Sequence, residues 1–163
     1  MTGGMVGFDP AEKISAHAPY LNHARNIVPL ANIETVDLGH CPTHWQRDRF
    51  PESFHRKLYV CHDGIRTDQL LPDPDASLRL GRLAEPVTRE DEIITYVARN
   101  LEKTRGFHTM MRALPRILAE RPHARVVIVG GNEVSYGKQS DHPGGLRGEM
   151  AAELQDRVDW DRV

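Results

Sequence analysis

The sequence predicts an α/β fold built on a parallel βαβ unit, and three observations in its second half predict it. Residues 93 to 98, IITYVA, form a near-continuous apolar run of strand length. Phe107, Met110, Met111, Leu114, Ile117 and Leu118 recur at spacings of three and four, giving one apolar helix face from about Gly106 to Glu120. RPHARVVIVGG then supplies a turn and a second buried strand, Arg125 to Val129. A strand, a helix and a strand in so short a stretch require parallel strands joined by a right-handed crossover.

In chain order, the first expected element is a helix from about Asn22 to Val36, with Ile27, Leu30, Ala31 and Ile33 at helical spacing, disturbed near Pro29 and closed at Gly39. Thr43 suits the N-cap of a short helix carrying Trp45, Gln46 and Phe50 and stopping before Pro51. Lys57 to Cys61 is a short strand, and Asp63-Gly64 after it is a strong turn signal and a candidate hinge. Leu71 to Thr88 holds three prolines and no periodicity, as a linker does. The run 93 to 98 is expected to be buried on both faces, with Arg99 at its end, and Pro115 should kink the helix that follows. From Asn132 a polar, glycine-rich loop leads to an amphipathic helix starting near Leu146, with Met150, Leu154 and Val158 on one face. Two parallel strands and two helices leave a sheet edge unpaired and one apolar face uncovered. The fold is therefore expected to be incomplete, with self-association through that edge, a homodimer, or a partner chain as the way to complete it.

Bulk properties exclude several function classes. Lys plus Arg is 21 against 23 Asp plus Glu, a net charge of -2, so no sequence-wide positive field attracts nucleic acid or an anionic membrane. Cys41 and Cys61 have no disulfide-framework spacing, which makes a reducing cytoplasm the expected compartment. MTGGMVGFDP lacks the basic and apolar regions of a leader, and no apolar run approaches the roughly 18 residues of a spanning helix.

Ligands of open parallel sheets bind beyond the carboxyl ends of the strands. One strand delivers Arg99 and Asn100 there, the other Gly130, Gly131 and Asn132. Gly106 opens a helix whose leading N–H groups and dipole favour an anion, and Arg105 precedes it. Two guanidiniums and a helix terminus suit a diphosphate, and the glycine pair lets a ribose or base approach the backbone. Spacing alone equally suits Arg99 and Arg105 as exposed loop charges paired with Glu102 or Asp91, and the glycines as simple turns.

Other clusters are weaker. His40, Cys41, His44, His55, Cys61 and His62 lack regular zinc spacing, so no metal is expected. His62 and Asp63 suit a turn cap or interdomain contact better than an acid–base pair. Arg112, Arg116, Arg121 and Arg125 suit a solvated helix face, and Met110-Met111 suits core packing. GKQSDHPGG suits either a lid over a nucleotide or an ordinary mobile loop.

The stretch TYVARNLEKTRGFHTMMRALPRILAERPHARVVIVGGNEVSYG resembles the start of the second domain of glycosyltransferase family 4 enzymes, and VGFDP, CPTHWQRDRFPESF and VCHDGIRTDQLLPDPDA resemble the end of their first domain and the interdomain crossing. The resemblance implies two Rossmann-like domains of the GT-B fold and retaining, group 1 sugar transfer from a nucleotide sugar, UDP-, GDP- or ADP-linked, to an acceptor that the sequence leaves unspecified. It implies that Arg99 and Arg105 contact the donor diphosphate, with arginine at the second position where lysine is usual. It implies no further cofactor, because the arginines and helix terminus supply the counter-charge. Arg66 replaces a frequent aspartate and Cys41 a frequent serine. The implied organisation is 1–62 as the C-terminal part of the acceptor-side domain, 63–90 as hinge and linker, and 91–163 as the first βαβ and following helix of the donor domain. The family's pair of glutamates seven residues apart has no counterpart, so the 163-residue chain is expected not to transfer sugar by itself, and its catalytic residues stay unassigned.

Overall fold

The computed structural model describes residues 15–79, 85–135 and 138–163. The VGFDP stretch, residues 80–84 of the linker and Gly137 of the glycine-bearing loop lie outside the described residues. The chain divides into two compact units, Met1–Leu71 and Pro72–Val163.

In the first unit, helix α1 spans Ala18–Thr35. It starts four residues before the expected Asn22 because Pro19 sits in the first turn, where its fixed φ suits a helix and its missing N–H costs nothing. Pro29 lies inside α1, which stays helical through it. Strand β1, Gly39–Cys41, pairs in parallel with β2, Leu58–Val60, in the register Gly39↔Leu58. Gly39 was expected only as a helix stop. It is instead the first residue of a strand, and a Cβ on it would meet Leu58 Cδ2 at 2.7 Å, so glycine permits the close approach. Helix α2, His44–Arg47, connects the strands, followed by a three-ten turn over Glu52–Lys57. Thr43 caps α2 as expected, its hydroxyl accepting the Gln46 N–H at 3.2 Å. Lys57 closes α1 from a distance, its Nζ donating to the carbonyls of Glu34 at 2.9 Å, Val36 at 3.0 Å and Ile33 at 3.3 Å. A small core of Ile33, Cys41 and Leu58, with Phe50 and Phe54 against it, holds the unit. Gly64, in the Asp63-Gly64 pair, has φ +80, a left-handed conformation that favours glycine.

In the second unit, Ser77–Leu78 (β3) pairs antiparallel with Val87–Thr88 (β4), so the presumed linker contains paired backbone, and Val87 is buried. Asp91 closes β4, accepting the Thr88 N–H at 2.8 Å and the Thr88 hydroxyl at 3.2 Å. The Thr88 N–H is the main cause holding its carboxyl below the usual range, with Arg125 adding to it. Strand β5, Ile93–Asn100, and β6, Arg125–Gly131, are parallel, in the register Ile93↔Arg125 through Val97↔Val129. A bulge between Val97 and Asn100 shifts the last pair to Asn100↔Gly131. Helix α3, Phe107–Glu120, makes the crossover and continues through Pro115. Helix α4, Gly145–Glu153, packs on α3.

The expected burial of the two strands is overturned as well. β5 is not buried on both faces: its exposure alternates, with Ile94 and Tyr96 packed against the core while Val97 is 72% exposed and Ile93 also faces outward, and on β6 Val126 and Val127 are buried but Val129 is exposed. The helices cover a single face, so period-two burial replaces the expected continuous burial. Phe107, Met111, Leu114, Val126, Met150 and Leu154 centre the core on the covered face.

Arg162 closes α3 as Lys57 closes α1. Its Nη1 donates to Pro122 O at 2.9 Å and Arg121 O at 3.3 Å, its Nη2 to Leu118 O at 3.2 Å, and Asp159 holds its Nε at 2.9 Å. Removing it leaves helix-end carbonyls without their donor, so Arg162→Ala should lower stability by about 1–2 kcal/mol in urea unfolding. Arg116→Ala, at a side chain 84% exposed, is the control that should move the midpoint little.

Candidate functional site

The carboxyl ends of β5 and β6 converge with the head of α3. Arg99, the penultimate residue of β5, is exposed, and its guanidinium has no hydrogen bond or ion pair among the described residues. Its neighbour Asn100 is turned inward, 7% exposed, and its Nδ2 donates to Ser135 Oγ at 2.8 Å. Alternation along a strand explains the difference: residues 99 and 100 must point to opposite faces.

Arg105 ends a three-ten turn over Lys103–Arg105. Its Nε lies 3.4 Å from Oε1 of Glu102, a carboxylate only 2% exposed, while the Arg105 side chain is 42% exposed. The other carboxylate oxygen, Oε2, accepts the Ser135 N–H at 2.8 Å. The Arg105 carbonyl accepts from the Tyr96 hydroxyl at 2.9 Å, and burial pushes the Tyr96 phenol above its ordinary range against the opposing Arg105 charge. Of the two arginines, Arg105 thus has the Glu102 pairing that spacing allowed, and Arg99 does not have its pairing with Asp91.

Gly106 joins the three-ten turn to α3 with φ +78, and no atom lies within 4 Å of where its Cβ would be. Conformation, not room, asks for glycine there. Its own N–H donates to Lys103 O at 2.9 Å and that of Phe107 to Glu102 O at 3.4 Å, so the first two amides at this corner are used by the preceding turn.

The glycine pair lies within β6, which extends to Gly131 rather than stopping at Val129. A Cβ on Gly130 would meet Leu101 Cδ2 at 2.7 Å and Ala98 O at 2.9 Å, and one on Gly131 would meet Asn100 Oδ1 at 2.5 Å. Glycine here lets the β5 end approach β6. Leu101 N–H completes the contact by donating to Gly131 O at 2.8 Å. Asn132 donates through Nδ2 to Gly144 O at 2.9 Å and so ties the end of β6 to the start of α4.

Sequence reasoning missed the burial of Glu102 and all of Ser135. The i,i+3 spacing of Glu102 and Arg105 was a usable signal, but nothing in a single sequence links Ser135 to residues 33 and 35 positions earlier. A cavity of about 590 Å³ runs along β6 against α3 and α4, lined by Met111, Val127, Ile128, Ala151 and Ala152 among others, and neither Arg99 nor Arg105 lines it.

The remaining candidates have structural partners. Arg112 binds Glu153 at 2.8 and 2.9 Å, Arg116 binds Glu120 at 2.7 Å, Arg121 binds Glu92 at 2.5 Å, and Arg125 lies 3.9 Å from Asp91. His62 Nδ1 accepts the Gly64 N–H at 3.0 Å, which is the turn-cap role. His40 Nε2 contacts Cys61 O, and the His40 ring lies 5.3 Å from that of Tyr59. Among the described residues there is no cluster of three or more His, Cys, Asp or Glu able to hold a metal ion, and no helix long and apolar enough to cross a membrane.

Residues 1–70 match the family model described as the glycosyl transferase family 4 group. No curated protein and no solved structure matches the chain. The matched segment carries α1, β1, α2 and β2 and ends before β5, so Arg99 and Arg105 lie outside it. With its parallel, open α/β sheets, the match relates this chain in part to glycosyltransferase family 4 and, at the level of the family, to glycosyl transfer.

Proposed function

We propose that the corner formed by β5, β6 and the head of α3 binds the diphosphate of a nucleotide-sugar donor for retaining, group 1 glycosyl transfer by a cytoplasmic GT-B enzyme. The observation that carries the reading is Arg99, an exposed cation without an ion partner among the described residues, at the carboxyl end of a parallel strand, six residues before the Arg105-Gly106 corner that opens α3. Parallel sheets place ligands at that end, and a guanidinium matches phosphate oxygens bidentately. Asn100, Gly130, Gly131 and Asn132 form the floor of the corner. Their contacts serve the packing of the two strand ends, and the nucleoside is taken to lie above that packed backbone.

Calorimetric titration of the chain with UDP, GDP and ADP tests this. Saturable binding of at least one, with Kd about 0.1–1 mM, is the expected result.

A second reading draws on a different observation, the edge of β6 that has no strand partner among the described residues, beside the 590 Å³ cavity. An open parallel edge with an apolar groove suits completion by another strand, which makes the chain an assembly module that dimerises. A folded chain that binds none of the three nucleotides and whose sedimenting mass doubles with concentration overturns the diphosphate reading in favour of this one.

A further inference from the structure

We propose that Glu102 is the latch of the strand-end site: one carboxylate fixes Arg105 side-on and pins the segment after β6, so that both loops meet a diphosphate as a preset surface. The inference rests on the diphosphate reading and adds the residue that sets the geometry of the site.

Glu102 is an unexpected neighbour for an anion. A buried carboxylate repels a diphosphate, and on charge alone the site would bind better without it. What it offers instead is two acceptor oxygens, each with its own donor: Oε1 faces Arg105 Nε at 3.4 Å and Oε2 takes the Ser135 N–H at 2.8 Å. Asn100 adds a second tie between the same loops through Ser135 Oγ at 2.8 Å. Held through Nε, Arg105 loses rotamer freedom before any ligand arrives, which lowers the entropic cost of binding. Its side chain remains 42% exposed, so the anchored cation is still presented to solvent. Asn132, bonded to Gly144 O at 2.9 Å, closes the other end of the segment.

A carboxamide of the same size cannot do both tasks. It has one oxygen, so its NH₂ must face either the Arg105 Nε–H or the Ser135 N–H, donor against donor. Glu102→Gln therefore separates positioning from charge, because the two effects move UDP affinity in opposite directions.

The test uses the 163-residue chain and Glu102→Gln. Hydrogen exchange of the Ser135 N–H and the Arg105 Nε–H is followed by NMR without ligand, and UDP is then titrated. At least one of the two protons should exchange about tenfold faster, and UDP should bind about tenfold more weakly. Parental exchange at both protons overturns the latch, and so does tighter UDP binding in the variant. If Glu102→Gln does not fold, Arg105→Lys carries the test: it keeps the cation but has no Nε to anchor, and UDP binding at parental strength overturns the positioning. A folded parent that binds none of UDP, GDP and ADP overturns the diphosphate reading, and the exchange rates then decide the latch by themselves.

Discussion

Replacing Phe107 by alanine should destabilise the second unit by about 3–5 kcal/mol, a large share of what a domain of ordinary stability possesses. Phe107 is the first residue of α3 and is 1% exposed. Its ring lies 5.8 Å from that of Tyr96, tilted by 51°, which adds an aromatic contact to the area it buries. Truncation leaves a void in the core between β5 and α3. Because the Tyr96 hydroxyl bonds the Arg105 carbonyl at 2.9 Å, the same void should loosen the turn that carries Arg105. Urea unfolding followed by circular dichroism gives the stability, and Trp160, packed against the same cluster, gives a fluorescence signal from that core. A loss below about 1 kcal/mol would mean that the core closes around the missing ring, which would contradict the packing described.

The second large effect is on binding. The double variant Arg99→Ala, Arg105→Ala should weaken UDP by about a hundredfold, taking each charge-assisted contact at about tenfold. Parental affinity in the double variant would remove both arginines from the site. The single variants should differ in stability. Arg99 has no ion partner among the described residues, so Arg99→Ala should leave the unfolding midpoint unchanged within about 0.5 kcal/mol. Arg105→Ala removes the cation 3.4 Å from a carboxylate that is 2% exposed, so it should destabilise as well as weaken binding. Arg116→Ala, exposed and remote from the strand ends, controls for general charge. Raised salt should weaken UDP binding by the parent, because the arginine charges are partly exposed.

Local order along the chain was legible wherever a short-range rule dominates. The apolar stripe of α3 gave its extent to within a residue, since helical periodicity directly encodes one buried face. Thr43 as a cap followed from chemistry within three residues. β1 was not legible, because Gly39–Cys41 is too short to show a period and is a strand only through its parallel partner β2, 19 residues later. The burial of β5 was misjudged for a related reason. An apolar run records what a strand tolerates, and the elements that cover it lie elsewhere in the chain.

The same division holds at the site. By itself the sequence determined the βαβ unit, the cations at Arg99 and Arg105 and the glycine corner, because residue type and neighbouring positions suffice to specify them. Only the tertiary structure decided that Arg99 stands in solvent while Arg105 is held by a buried Glu102, that Gly130 and Gly131 serve the close approach of residues 98–101, and that Ser135 joins the two loops. The strand-end approach and the Ser135 ties join segments some 30 residues apart, and the Glu102–Arg105 pair, three residues apart, owes its setting to the burial of Glu102. Their energetics depend on burial and on donor and acceptor geometry, neither of which exists until the chain has folded.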